Sequence, residues 1–534
     1  MLGLFERPAD EQALGALMKP PAIRGFTESL TELHPTAWRT ILAKLRRAKL
    51  LAREDPYNPG DLDTHPLVRE YFGEQLRLQR SEAWEECNRR LFHYYQGLAP
   101  QLPHTLREME PLLLAVICGC NAGLYREALH EVYIPRIQRG DKSFAAKVLG
   151  AKGALLPVLA HFFEHGHWGS PVKIGIKRQS LTADDQLFIL MQAGLLLTAT
   201  RGFAAPETIS CYERAECLCH SLNRPAPLYV ALVGQWRHSL FTDKPTTTMQ
   251  IARRIYRLVQ ELNEPALKVG AYRALAPTAY FLGEFETARQ YAMRGAQIWR
   301  SGGVKSPVEE VAAPVVICLC FQALSEWQLG EVASCQVTIA EGISVAKELN
   351  DMHGLTQALF FTGLIAHFLR HPAEVKRLAS DFAELSTRQG FSVFLAGGEV
   401  LRGWACSACG DTAEGIAFIE RGIEDWVVSG ATVLVPYYLA VKAEALHLAK
   451  RSSEALEAIN EAVSLAERSG ERWWSAELHR LRGVLLAATG ADEAQIEASF
   501  SEAIRVANEQ KSISLAKRSE ASYAEYRNPG RNPE

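Results

Sequence analysis

A trio of small residues recurs along this chain at a fixed spacing, and it leaves little freedom in how the chain can fold. The segment "YRALAPTAYFLGEFETARQYAMRGAQIW" places Ala276, Ala288 and Gly295 at the eighth, twentieth and twenty-seventh positions of a unit of two helices, with Gly283–Glu284–Phe285 as the turn. "FQALSEWQLGEVASCQVTIAEGI" places Ala323, Cys335 and Gly342 there, and "LRGWACSACGDTAEGIAFIERGI" places Gly403, Gly415 and Gly422. "VKAEALHLAKRSSEALEAINEAV" places Ala443, Ala455 and Ala462. Two helices that cross closely need small side chains at the crossing, because a bulky one forces the backbones apart. Weaker copies begin near Gln186, Leu228, Leu355 and Leu478, with Gly194, Gly234, Gly363 and Gly483 in the eighth position. In the last of these Ile496 stands where Ala is expected. The count is about eight helix pairs.

A repeat of about 34 residues in two helices is the tetratricopeptide unit. The fold class that follows is all-α. Residues 181–520 form an α-solenoid, a right-handed superhelix of tetratricopeptide-like pairs with a concave face. Residues 81–180 read as a helical bridging region and 521–534 as a polar tail. Residues 1–80 read as a small winged-helix-like module of three helices, the turn "DPYNPGD", and a further helix opened by a His–Pro pair. Leu42, Leu45, Leu50 and Leu51 are expected in its core, and Leu67, Val68, Tyr71, Phe72 and Leu76 as a buried stripe. Asp63 or Thr64 can cap that last helix, with Pro66 in its first turn. His65 beside them is open to three readings: a catalytic group, a phosphate contact or a helix start.

The net charge is −3, from 58 basic and 61 acidic residues, which gives no global attraction to nucleic acid or to anionic membranes. "MLGLFERPADEQ" lacks the basic and apolar regions of a secretory signal. The long uncharged run Gln186–Thr200 is too short to span a bilayer. A cytoplasmic protein is expected, with no membrane partner. The 11 cysteines include close pairs at 118–120, 217–219, 318–320 and 406–409. These lie inside apolar helices and far from one another, so they read as small buried thiols and not as zinc ligands.

Catalytic signatures are missing. No Gly–Lys dipeptide occurs, so there is no P-loop, and there is no G-x-S-x-G elbow. "HEVYI" has Ile134 where a zincin's second histidine belongs. In "HFFEHGHW", His161 and His165 lie one turn apart with Glu164 and His167 nearby, a set that zinc accepts. Phe162 and Phe163 must pack, however, and Gly166 ends the helix, so the segment is read as structural. No catalytic residue, metal or cofactor is expected. Arg39, Lys44, Arg46 and Arg47 are candidate DNA contacts. Arg46 and Arg47, with Lys49, crowd a helix C-terminus, where cations also suit the dipole, whereas base reading uses the N-terminal part of such a helix.

"LAKLRRAKLLARE" with "DTHPLVREYF" resembles the winged-helix segment that follows the nucleotide-binding core in signal-transduction ATPases with numerous domains (STAND), the AP-ATPase relatives. His65 matches the histidine of that family's Met-His-Asp-type motif, and Thr64 and Pro66 stand where the family has Met and Asp. "LGEFETARQYAMRGAQIW", "LRGWACSACGDTAEGIAFIERGI" and "SGERWWSAELHRLRGVLLA" resemble the bacterial branch, predicted ATPases with tetratricopeptide tails, often fused to nucleotide cyclase or other effectors. The resemblance covers most of residues 1–520 and is most specific in the final third. It implies a carboxy-terminal portion without the P-loop half: a non-catalytic sensor or scaffold that takes a protein or small-molecule trigger in its concave groove. An upstream P-loop ATPase domain would be its partner, and His65 would sense the nucleotide held there. The alternative is a DNA-binding transcriptional regulator with a tetratricopeptide ligand-sensing arm, although nucleic acid is not the partner the charge favours.

Overall fold

The structure, a computed structural model, describes every residue except 6, 32, 59, 172–180, 303–309, 311, 390 and 529–534. It divides into two units, Met1–Ile189 and Leu190–Glu534. Among the described residues there is no strand, only isolated bridges between Ala9 and Leu62 and between Phe163 and Pro171. No helix among them is long and apolar enough to cross a membrane.

The first unit contains α1 (Glu11–Met18), α2 (Glu28–Thr31), α3 (Pro35–Arg47), α4 (Pro66–Gln79), α5 (Ser81–Leu98), α6 (Leu106–Asn121), α7 (Tyr125–Glu127), α8 (Phe144–Lys147) and α9 (Lys152–Ala160). Its core lies between α5, α6 and the π-helical stretch Ala128–Gln138, where Leu91, Phe92, Met109, Val116 and Tyr133 are buried. A helix leaves its last carbonyls without intrahelical donors. Here the buried Arg136 supplies them, donating to the carbonyls of Gln96 (2.9 Å), Ala99 (3.1 Å) and Pro100 (3.0 Å).

The N-terminal helices differ from the expected packing. No residue of α3 is buried, and α4 buries only Gly73. Leu67, Tyr71 and Phe72 are exposed, Val68 and Leu76 half-buried. Leu51 is buried, but Leu50 is exposed and Leu42 and Leu45 are half-buried. The physical reason is a backbone contact: a Cβ on Gly73 would lie 2.4 Å from the carbonyl oxygen of Gly3. That close approach fixes the packed face of α4 through Gly73. Helical spacing reports that a face is apolar, not that anything covers it.

The second unit is the repeat array, whose opening helix begins within the last residues of the first unit. Its eight pairs are α10 (Ala183–Arg201) with α11 (Pro206–Leu222), α12 (Pro225–Thr242) with α13 (Pro245–Leu262), α14 (Pro265–Phe281) with α15 (Phe285–Gly302), α16 (Pro314–Gln328) with α17 (Val332–Glu348), α18 (Met352–Phe368) with α19 (Pro372–Gln389), α20 (Ser392–Ala408) with α21 (Thr412–Val428), α22 (Val435–Leu448) with α23 (Ser452–Ser469), and α24 (Ser475–Ala488) with α25 (Glu493–Glu509). A lone α26 (Ile513–Arg527) follows. Proline opens many of these helices, where its missing N–H costs nothing. The first helices form an inner layer. All of α16 but Pro314 is buried, and all of α14 but Pro265 and Lys268, so neither keeps a polar face. The second helices are amphipathic: α23 buries Ala455, Ala458, Ile459, Ala462 and Ala466 along one stripe.

The twelve small residues of the four clear repeats are all buried. The tightest crossing is between α20 and α21. A Cβ on Gly403 would lie 2.4 Å from the Gly415 carbonyl oxygen, and one on Gly415 would lie 2.5 Å from that of Gly403. Backbone cannot step aside as a side chain can. Gly415→Leu is expected to cost about 1–3 kcal/mol by overpacking, measured as a shift in denaturant midpoint. A cost below about 0.5 kcal/mol would show that the crossing has slack.

The array also touches itself across its axis. The Thr432 N–H donates to the Phe241 carbonyl at 2.7 Å, the Arg472 N–H to the Phe281 carbonyl at 2.8 Å, and Ser512 Oγ to Gln328 Oε1 at 2.6 Å. The ends of α12, α14 and α16 are thus tied to the turns that precede α22, α24 and α26. Each tie links a first helix to the one five pairs later. The sequence reading anticipated an open concave groove. Aromatic rings fill much of that space instead. Trp473 sits with ring centroids 5.5 Å from Tyr280, 5.3 Å from Tyr437 and 6.1 Å from Phe368.

Candidate functional site

His65 lies exposed at the N-terminus of α4 and is itself the cap: its Nδ1 accepts the Leu67 N–H at 3.3 Å. His34 does the same at α3, accepting from the Thr36 N–H at 3.3 Å. Each is followed by proline. Capping requires Nδ1 to be unprotonated, which leaves Nε2 as the nitrogen that carries the proton. Loss of this cap in His65→Ala is expected to cost at most about 1 kcal/mol in chemical denaturation. A much larger loss would mean that the ring packs.

Arg39, Lys44 and Arg47 are exposed, and Arg46 pairs with Glu54 at 3.1 Å. At 3.6 residues per turn, Lys44 lies about 140° around α3 from Arg39, so the four cations do not form one row. Around His161, Phe162 and Phe163 are buried, while the His165 side chain lies outside the described residues. Among the described residues no three His, Cys, Asp or Glu side chains are grouped to hold a metal. Nine of the cysteines are buried, and Cys217 and Cys409 are exposed.

Two buried polar groups inside the array went unread in the sequence. The first is an ionic cluster. Glu477 of α24, fully buried, accepts from Arg480 (2.9 Å), Arg518 of α26 (3.0 Å) and Arg370, which follows α18 (3.2 Å). Arg370 also pairs with Glu444 of α22. Burial alone would raise the Glu477 carboxyl, but the three guanidiniums hold it well below the usual carboxylate range. Beside them His367 accepts or donates at 2.7 Å with the Tyr437 hydroxyl, and burial pulls its imidazole down to about 3, so it is neutral. The charges of this cluster pair with one another, while the buried His367 Nε2 has no partner among the described residues, and the cluster reads as a structural tie.

The second is a cavity of about 80 Å³ lined from α12 through α14, α16, α18 and α20 to the turn before α22. Phe203, Phe241, Phe281, Phe321, Phe360 and Trp426 are among its walls, with Arg237, Arg273, His353 and Gln357 as the polar groups. Arg273 of α14 is spoken for: it donates to Glu310 at 2.7 Å, and the Tyr229 hydroxyl donates to the other oxygen of that carboxylate at 2.9 Å. Arg237 of α12 is different. It is 8% exposed, faces the cavity, and makes no hydrogen bond or ion pair among the described residues; its guanidinium sits 5.8 Å from the Phe203 ring. Burial, and then the neighbouring Arg273, pull Arg237 down to about 10, so it remains cationic at neutral pH. The Gln357 Oε1 is also buried without a donor. Two guanidiniums face one carboxylate, which leaves one positive charge uncancelled in an aromatic enclosure. A sequence signal for this existed. Arg237 and Arg273 each stand three residues after a glycine (Gly234 and Gly270) inside mostly apolar first helices.

No family model matches the chain. An uncharacterized protein of Rhizobium meliloti (strain 1021) is 26% identical over 350 residues, covering 64% of this chain and 33% of that one. The chain thus spans about a third of the length of the curated relative it matches. Among solved structures, a Rap protein complexed with Competence and Sporulation Factor is 10% identical, with a TM-score of 0.43 over 65% of this chain and 98% of that one. A STAND protein with a tetratricopeptide repeat sensor from Pyrococcus horikoshii is 10% identical, with a TM-score of 0.33 over 94% of this chain and 61% of that one.

Proposed function

We propose that this chain is the non-catalytic sensor arm of a larger STAND-type signalling protein, and that its trigger enters the cavity inside the repeat array. The observation that carries the reading is an apolar enclosure with an unpaired guanidinium on its wall. Folding has no use for such a charge, since burying one unpaired is costly. The ends of α12 and α14, which line the cavity, are the same segments tied across the axis to the turns before α22 and α24. An occupant there acts on those ties directly. In the STAND reading the nucleotide-binding partner domain would meet α4 at His65, whose Nε2–H is left outward by the cap.

The test is a thermal-shift panel of anionic, neutral and cationic small molecules on the full chain, with Gln357→Trp as a cavity-blocking variant. At least one class should stabilise the wild type, slow amide exchange at 241, 281 and 432–434, and lose its effect on the blocked variant. Stabilisers that act equally on both proteins would place the trigger elsewhere and overturn the reading, as would the absence of any stabiliser at millimolar concentration.

A further inference from the structure

We infer that the cavity is a site for a small organic acid with an apolar body, its single carboxylate received by Arg237; this rests on the sensor reading above. The charge count comes first. Arg273 is neutralised by Glu310, which also accepts from Tyr229, while Arg237 has no acceptor among the described residues. One negative charge therefore completes the site. A planar guanidinium receives a carboxylate through two parallel N–H bonds, the strongest neutral-pH recognition available to a buried arginine. A phosphate would bring a second charge with no second free cation, and it would face Glu310.

The walls set the rest of the ligand. Nine Phe and Trp rings offer faces and edges to a ring or branched chain, and no carboxylate is among the described residues that line the wall. A water needs roughly 10–15 Å³ by this measure, so about 80 Å³ admits a ligand of roughly ten non-hydrogen atoms and no folded partner. The unpartnered Gln357 Oε1 is an acceptor that a hydroxyl or N–H on such an acid would satisfy. A carboxylate of this kind can be a free acid or the C-terminus of a peptide; the cavity's size favours the free acid.

The test uses calorimetry on the full chain, with tryptophan fluorescence as a second readout because Trp236 and Trp426 line the cavity. The probes are 3-phenyllactate, phenylacetate, phenylacetamide, and N-acetyl-glycyl-phenylalanine with its C-terminus free or amidated. Both acids should bind, with phenylacetamide, the same shape uncharged, at least tenfold weaker. Arg237→Met should lose at least tenfold in acid affinity, and Arg237→Lys should recover part of it. Without ligand, Arg237→Met should melt at or above the wild-type temperature, because it removes an unpaired buried charge; that keeps a binding loss from being misread as misfolding. Equal binding of acid and amide, or an unchanged affinity in Arg237→Met, would overturn the inference while leaving the sensor reading in place. Tighter binding of the free-terminus peptide than of 3-phenyllactate would overturn the free acid in favour of a chain terminus. If no probe binds and the wider panel is also silent, the sensor reading falls with it.

Discussion

Glu477→Ala should cost about 3–5 kcal/mol of stability, read from guanidinium denaturation midpoints at constant slope. The expectation follows from what the substitution strands. Arg480, Arg518 and Arg370 converge on this fully buried carboxylate from three segments of the array. Removing it leaves Arg480, the most buried of the three, without a carboxylate partner, and Arg518 and Arg370, which reach water in part, with Glu444 as the remaining carboxylate. Because the cluster joins α22, α24, α26 and the end of α18, the loss should appear as faster amide exchange across all four. An internal control is available in Glu502, whose ion pair with Arg505 is more than one-third exposed on both sides. Glu502→Ala should stay within about 1 kcal/mol of wild type. Similar costs for the two substitutions would mean that water reaches the Glu477 cluster.

The second large effect is a dependence on pH set by Glu471. This carboxyl is buried in the turn before α24, where it accepts from the Leu434 N–H (3.2 Å to each oxygen) and from Trp473 Nε1 (2.6 Å). Among the described residues no cation balances it, and burial pushes it up to about 7 against the pull of those two donors. The folded chain therefore holds this proton between about pH 4.5 and 7 while the unfolded chain has lost it. With more protons bound in the folded state, the contribution to stability falls as pH rises through that window and is fully lost above it. The shift corresponds to about 3 kcal/mol. Glu471→Gln keeps an acceptor oxygen for both N–H groups and cannot ionise. The difference in unfolding free energy between variant and wild type should be near zero at pH 4.5 and approach about 3 kcal/mol in the variant's favour at pH 8. A difference that does not change with pH would show that the carboxyl titrates normally.

How far the fold could be read from the residues depended on whether a local rule was decisive. Close helix crossings admit only small side chains, so Gly403, Gly415 and their counterparts mark the pairs in the sequence itself. The α4 stripe misled because Leu67, Tyr71 and Phe72 have the spacing of a buried face, yet a glycine contact decides which face packs. The cavity was harder still. Arg237 in "GQWRHS" looks like one more surface cation until the array closes and leaves it without an acceptor among the described residues. The aromatic doublets "PYY" and "RWW" at the starts of α22 and α24 were a missed sign that the interior would be filled. His65 illustrates the opposite limit: its cap is local and visible, but any larger role depends on residues outside this chain.

The ties across the axis set the order of events when the chain is made. Thr432 bonds to a carbonyl 191 residues earlier, and Ser512 to a side chain 184 residues earlier. An ordinary solenoid can grow by adding each pair to the last, with every contact local. Here α12 leaves the ribosome with an aromatic end whose partner has not been translated. At about 5–20 residues per second, that end waits roughly 10–40 s before Thr432 arrives. During this interval Phe241, Phe281 and Trp327 have no lid, so the nascent array presents an apolar surface of the kind that chaperones hold. Folding should be limited by ring closure and not by helix formation, in keeping with the cost of contacts distant in sequence.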